Sequence, residues 1–195
     1  MTEERLPLAE LLAKAGDGEF FRRVPELRSV EMAIPTSERW VSSLVRDLAS
    51  RTDNVVIDLM GAATNDTQVA MALADLIIVP SQMSGTDLKC GVETWRQALE
   101  AAEISNRRIA MAVLLARTSA GATRPRVESF LREQYERVGA QVLATAFGDR
   151  AAWKEMTYSA HIPHLHARDS NAARNFIAVF EEMMALIPVA AAAAA

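Results

Sequence analysis

The chain has 195 residues, half of them hydrophobic, and a formal net charge of −4, which suits one domain with a buried core. That charge excludes bulk attraction to nucleic acid, so any DNA contact would need a local basic patch. The single cysteine, Cys90, excludes an internal disulfide framework and fits a reducing compartment.

The N-terminal stretch Met1–Ala9 carries Glu3, Glu4 and Arg5 and lacks the apolar run of a signal peptide. No stretch approaches the roughly 18–20 apolar residues of a membrane span. The expectation is a cytoplasmic protein with one domain over 1–189. Residues 190–195 are an alanine tail to which no function is given.

In chain order, short apolar runs alternate with helix-period segments, which predicts an α/β fold, a doubly wound and mostly parallel sheet with helices on both faces. Val30–Ile34 is a weak strand candidate. Ser37 is placed to cap a helix whose apolar stripe is Trp40, Val41, Leu44, Val45 and Leu48. Asn54–Leu59 (NVVIDL) reads as a strand apolar on both faces, as in a parallel sheet. A short helix over Asp66–Ala74 leads into a strand at Leu76–Pro80. A long helix over Asp87–Ala102 is followed by a strand at Ile109–Leu115. Pro125 introduces a helix over Arg126–Val138, and Gln141–Ala144 is a second weak strand. Helices over Arg150–Ser159 and Asn171–Leu186 close the chain. In such sheets ligands sit beyond the carboxyl ends of the strands, which directs attention to the residues just after Leu59, Pro80 and Leu115.

An apolar strand closing on an aspartate, here Asp58, is the Walker B pattern, whose carboxylate holds Mg²⁺ beside a nucleotide's phosphates. Helix capping or a surface turn is the plainer reading of the same residue. Gly61-Ala62-Ala63 then makes a small-residue turn, Asn65-Asp66-Thr67 opens a helix ending in Ala74-Asp75, and LIIVP-Ser81-Gln82 follows.

This order resembles the ParA/MinD family of partitioning ATPases, which carry a strand ending IIDTPPG, a helix ending AAD and a strand ending IPVQ. Leu59-Met60-Gly61 in place of Pro-Pro-Gly is most similar to the branch on conjugative and virulence plasmids. The later run Asp149, Arg150, Lys154-Glu155, His161-Ile162-Pro163 and Asn171-Ala172-Ala173 to Glu181-Glu182 also matches, so the resemblance covers Val30 to Leu186. It implies a P-loop NTPase-like fold and use of ATP and Mg²⁺. Asp58 and Gly61 then fall on the Mg²⁺ and phosphate side, and Arg117, His161, Ile162 and Pro163 on the base side. It further implies a homodimer closing over nucleotide, a role in DNA segregation or conjugative DNA transfer, and a ParB-like or relaxosome-type partner.

One departure decides the mechanism. The family's K-G-G-x-G-K-[ST] loop, whose N–H groups and lysines hold the phosphates, has no counterpart. Gly16-Asp17-Gly18 is followed by no Lys-Ser or Lys-Thr. Met1–Leu12 resembles the stretch after the family's second strand. The expectation is weak ATP binding and no unaided hydrolysis. The strand that precedes the loop would also be missing beside Asn54–Leu59, so another strand, a partner chain or upstream residues must fill its place.

Arg107, Arg108, Arg124 and Arg126 are the candidates for nonspecific DNA contact, against a solvated helix face in which Glu128, Glu133 and Glu136 interleave. His161, His164 and His166 could hold a transition metal by spacing, but in an extended segment His161 points away from the other two, and a loop and strand end beside a nucleotide is the preferred reading. Cys90 and the three tryptophans read as packing residues. Two other functions compete with the ATPase. One is a loop-less ParA-like interaction or scaffold module. The other is a different doubly wound fold, response-regulator-like or transferase, which would need an acidic cluster beside Asp58.

Overall fold

The computed structural model describes residues 41–59, 64–119, 125–159 and 161–187. Its elements are α1 (Val41–Ala49), α2 (Asn65–Leu73), β1 (Leu76–Ser81), α3 (Gly85–Ser105) and β2 (Ala110–Thr118). They continue with α4 (Arg126–Arg137), β3 (Phe147–Gly148), α5 (Ala151–Ser159), α6 (Pro163–His166) and α7 (Asn171–Met184). Among the described residues the sheet has three strands in the order β1-β2-β3. All are parallel, with Leu76 opposite Ala110 and Ser81 opposite Leu115.

The alternation of β2 builds two core layers, because successive side chains leave opposite faces. Val113 and Leu115 join Ile77, Val79, Trp95, Leu131 and Tyr135 beneath α3 and α4. Ala112 faces the other way and meets Leu143 and Val179 of α7, with Ile78 and Leu114 packed around them. Helices therefore cover both faces, which is why β1 and β2 read as continuous apolar runs.

The helix starts follow from local chemistry. Thr64 Oγ1 accepts the Thr67 N–H at 3.2 Å, Ser84 Oγ the Asp87 N–H at 3.0 Å, and Ser170 Oγ the Ala173 N–H at 3.1 Å. Each satisfies one orphan donor of a first turn. At the other end of α3, Asn106 closes the helix in the left-handed region at φ 50°.

Two strand expectations need correcting. Asn54–Leu59 forms no strand: Val56 is 93% exposed and Leu59 36%. A lone β-branched run has no ladder to satisfy its backbone, and among the described residues no strand lies against it. Gln141–Ala144 makes only an isolated bridge, Val142 opposite Val113, and the third strand proper is Phe147–Gly148. The interruption is held by side chains. Arg132 donates to the carbonyls of Leu143 (2.6 Å) and Ala144 (3.2 Å). Glu182 of α7 accepts the N–H groups of Ala144 and Thr145. The expected strand at Val30–Ile34, the cap at Ser37 and Trp40 lie outside the described residues, as do Gly61 and Arg124.

Candidate functional site at the carboxyl edge of the sheet

Three strand ends bring Ser81-Gln82, Arg117-Thr118 and Gly148-Asp149 to one edge. Strand β2 reaches this edge through an irregularity. Ala116 pairs with Phe147 and Thr118 with Gly148, so two steps on β2 match one on β3. The extra residue is Arg117, in the left-handed region at φ 56°. A long side chain there costs on the order of 1 kcal/mol or more. Such bulges re-aim a side chain out of the ladder. Here the guanidinium swings across to β1 and Arg117 Nη1 donates to Gln82 Oε1 at 3.3 Å.

Beside it, Asp149 follows β3 and is fixed by its backbone, its N–H donating to the Thr118 carbonyl at 2.8 Å. Lys154, on the first turn of α5, donates to Asp149 Oδ2 at 2.9 Å. That hydrogen bond, with the nearby charges of Lys154 and Arg117, holds the Asp149 carboxyl below its ordinary value. Below the rim, Tyr135 Oη donates to Ser81 Oγ at 2.8 Å, and both residues are fully buried. Burial raises the Tyr135 phenol above its ordinary value, more than the Ser81 bond lowers it. Asn175 of α7 accepts the Gly148 N–H at 2.8 Å and donates to the Ala146 carbonyl at 2.9 Å. The rim is thus an amide–cation–carboxylate–cation row over a buried base.

Only part of the expected site is assembled here. Arg117 stands on the rim. Asp58 is exposed at the end of an unpaired segment and not at the end of a central strand. Of the expected base-side residues, His161 is exposed, whereas Ile162 is 5% exposed and Pro163 fully buried, so these two serve packing. The Ile162 N–H donates to His166 Nδ1 at 2.9 Å, which occupies that ring nitrogen. His164 stacks on Phe176 with centroids 4.4 Å apart, and its burial lowers its basicity. Among the described residues no three His, Cys, Asp or Glu side chains could hold a metal ion.

The described arginines proposed for DNA, Arg107, Arg108 and Arg126, are separated. Arg107 and Arg108 precede the amino end of β2, and Arg126 follows its carboxyl end, about 25–30 Å of extended strand away. Arg107 is also engaged, donating to Asp75 Oδ1 at 2.7 Å and to the Ala72 carbonyl at 3.0 Å. They do not make one basic face. The sequence reading missed Gln82 as the partner of Arg117, and Asp149 with Lys154 as an ion pair. The place of Gln82 and Asp149 just after strands signalled the edge, but not which residues would pair there.

No protein-family model and no curated protein matches the sequence. Solved structures do. The cell division ATPase MinD of Pyrococcus furiosus superposes with a TM-score of 0.61 at 15% identity, over 80% of this chain and 65% of that one. The MinD cell division protein of Aquifex aeolicus gives 0.59 at 12%, over 82% and 66%. The chain therefore has the α/β P-loop NTPase-like fold of MinD. It spans a little under two thirds of the length of these chains. Among the described residues no helix is long and apolar enough to cross a membrane.

Proposed function

We propose that the chain is a ParA/MinD-like protein of DNA segregation or conjugative DNA-transfer positioning, with a nucleotide-facing rim but no means of holding phosphates tightly. The bulged Arg117 on a MinD-type sheet carries the reading, since backbone strain at a strand's carboxyl end gathers where ligands bind. The residues present do not fit ATP·Mg²⁺. The 195 residues contain no Gly-Lys-Ser or Gly-Lys-Thr run, and most phosphate affinity comes from such a loop and its lysine. Asp58 is exposed on a segment that has no ladder among the described residues, so no described strand holds its carboxylate for the metal. No hydrolytic step follows from this arrangement.

Its work is then binding. A homodimer formed across the crevice face, in a monomer–dimer equilibrium, is the arrangement this reading expects. A ParB-like or relaxosome-type protein, or DNA, would be the further partner. A second reading, a loop-less scaffold module that ignores nucleotide, is favoured by the burial of Ile162 and Pro163, which leaves the rim few groups for a base.

Calorimetric titration with ATP·Mg²⁺ and with ADP separates them. The first reading expects weak heats with a Kd around the millimolar range, reduced further by Arg117→Ala, and no phosphate release. A micromolar Kd with turnover would refute both readings. No heat at all would leave the scaffold module.

A further inference from the structure

Helix α7 is fixed to the sheet along one side, where Ala172, Ala173 and Val179 are buried and Glu182 holds the Ala144 and Thr145 N–H groups. Its other side carries an apolar stripe. Ile177, Phe180 and Met184 follow one another at steps of three and four, one helical face, and stay 37%, 49% and 40% exposed. Ala178 and Ala185 beside them are exposed as well. The Phe180 ring is already ordered. It stacks on Phe176 with centroids 6.3 Å apart, and Phe176 stacks in turn on His164 at 4.4 Å. A half-exposed aromatic ring held in place is the kind of residue that anchors a protein interface, because little rotamer freedom remains to be lost.

Two charges border the stripe. Arg174 is the fourth residue of α7 and Glu181 the fourth from its end. Each stands against the helix dipole, which favours anions near the amino end and cations near the carboxyl end. An isolated helix gains nothing from that placement, but a second copy does. When two α7 helices pack antiparallel about a two-fold axis at the Ile177–Ala178 step, Arg174 of each falls level with the partner's Glu181. Both residues lie about 5 Å along the helix from that axis. The two Ile177 side chains meet at the centre, and Phe180 lies near the stem of the partner's Arg174. Parallel packing would instead set arginine against arginine.

We propose that this face of α7 joins two copies of the chain, packed antiparallel on Ile177 and Phe180 and locked in register by reciprocal Arg174–Glu181 pairs. Three large apolar side chains are far fewer than the roughly 20–30 residues a side of a standard interface. The association is therefore a monomer–dimer equilibrium with a Kd of about 100 µM. The face is turned away from the sheet, so this interface is separate from a dimer closing over the carboxyl edge and needs no nucleotide.

Sedimentation velocity of the full chain without nucleotide, from about 5 to about 500 µM, is expected to show a sedimentation coefficient that rises with concentration. Phe180→Asp should weaken the association at least about ten-fold, and Ile177→Asp replaces it if the first does not fold. Arg174→Glu and Glu181→Arg each set like charges opposite one another and should weaken it about five-fold. The two together should restore the Kd to within about two-fold of wild type. Both exchanges put charge where the helix dipole favours it, so neither should lower the stability of the monomer. A chain that is monomeric at the highest concentration overturns the interface. So does an association that needs ATP·Mg²⁺ or that persists undiminished in the aspartate variant. A double exchange that fails to restore association overturns the antiparallel register.

Discussion

Gly91 lies inside α3, where replacing glycine by alanine ordinarily stabilises a helix by about 1 kcal/mol. Here a Cβ would stand 2.1 Å from Tyr135 Oη and 3.1 Å from its Cζ. Tyr135 cannot retreat, because it is fully buried and bonded to Ser81 under the rim. Gly91→Ala is therefore expected to destabilise the fold by about 2 kcal/mol, measured by urea unfolding. In a Tyr135→Phe background, which removes the closest atom, most of that cost should disappear. Glu182 offers a second residue-scale test. Burial pushes its pKa up, but the Thr145 and Ala144 N–H groups and the charge of Arg132 outweigh it, leaving the value below the ordinary 4.5. A carboxylate depressed in the folded state stabilises above its unfolded pKa, and that contribution is lost as pH falls through the folded value. Wild type should thus lose more stability than Glu182→Gln between about pH 5 and pH 3. Parallel losses would show that the bond to the β-bridge segment contributes nothing.

At the scale of elements, β1, β2 and the helices α1, α2, α3, α4, α5 and α7 were legible because their signals are local. Buried parallel strands announce themselves as Leu76–Ser81 and Ala110–Thr118 do, and Thr64, Ser84 and Ser170 mark helix starts. Asn54–Leu59 is an apolar run like β1, and yet among the described residues it has no ladder. A strand needs a neighbour, and the run itself does not encode whether one is present. The bulge at Arg117 was equally illegible, since nothing in Ala116-Arg117-Thr118 marks a left-handed arginine. The rim pairs Arg117–Gln82 and Lys154–Asp149 are contacts between or beside strand ends, so only the assembled edge reveals them. These differences can be measured. Val56→Ser is expected to change stability by no more than about 0.5 kcal/mol, as at an ordinary surface position. Val79→Ser, 2% exposed in β1, should cost about 3 kcal/mol. A comparable loss at both sites would mean that Asn54–Leu59 is packed as a strand after all.

On the scale of the whole molecule, the described strands β1, β2 and β3 pair with one another, and among the described residues no strand lies against the segment that carries Asp58. The rim residues are held by those strands, whereas in the proposed reading Mg²⁺ would depend on Asp58 in that segment. A MinD-type fold can therefore be recognised without the chemistry of an ATPase following from it. Hydrogen exchange followed by mass spectrometry, with and without ATP·Mg²⁺, tests this most directly. Amides of residues 77–81 and 111–116 should be strongly protected, and those of residues 54–59 should exchange nearly as fast as an unfolded chain, unchanged by nucleotide. Strong protection of 54–59, or protection that appears when ATP·Mg²⁺ is added, would contradict the account.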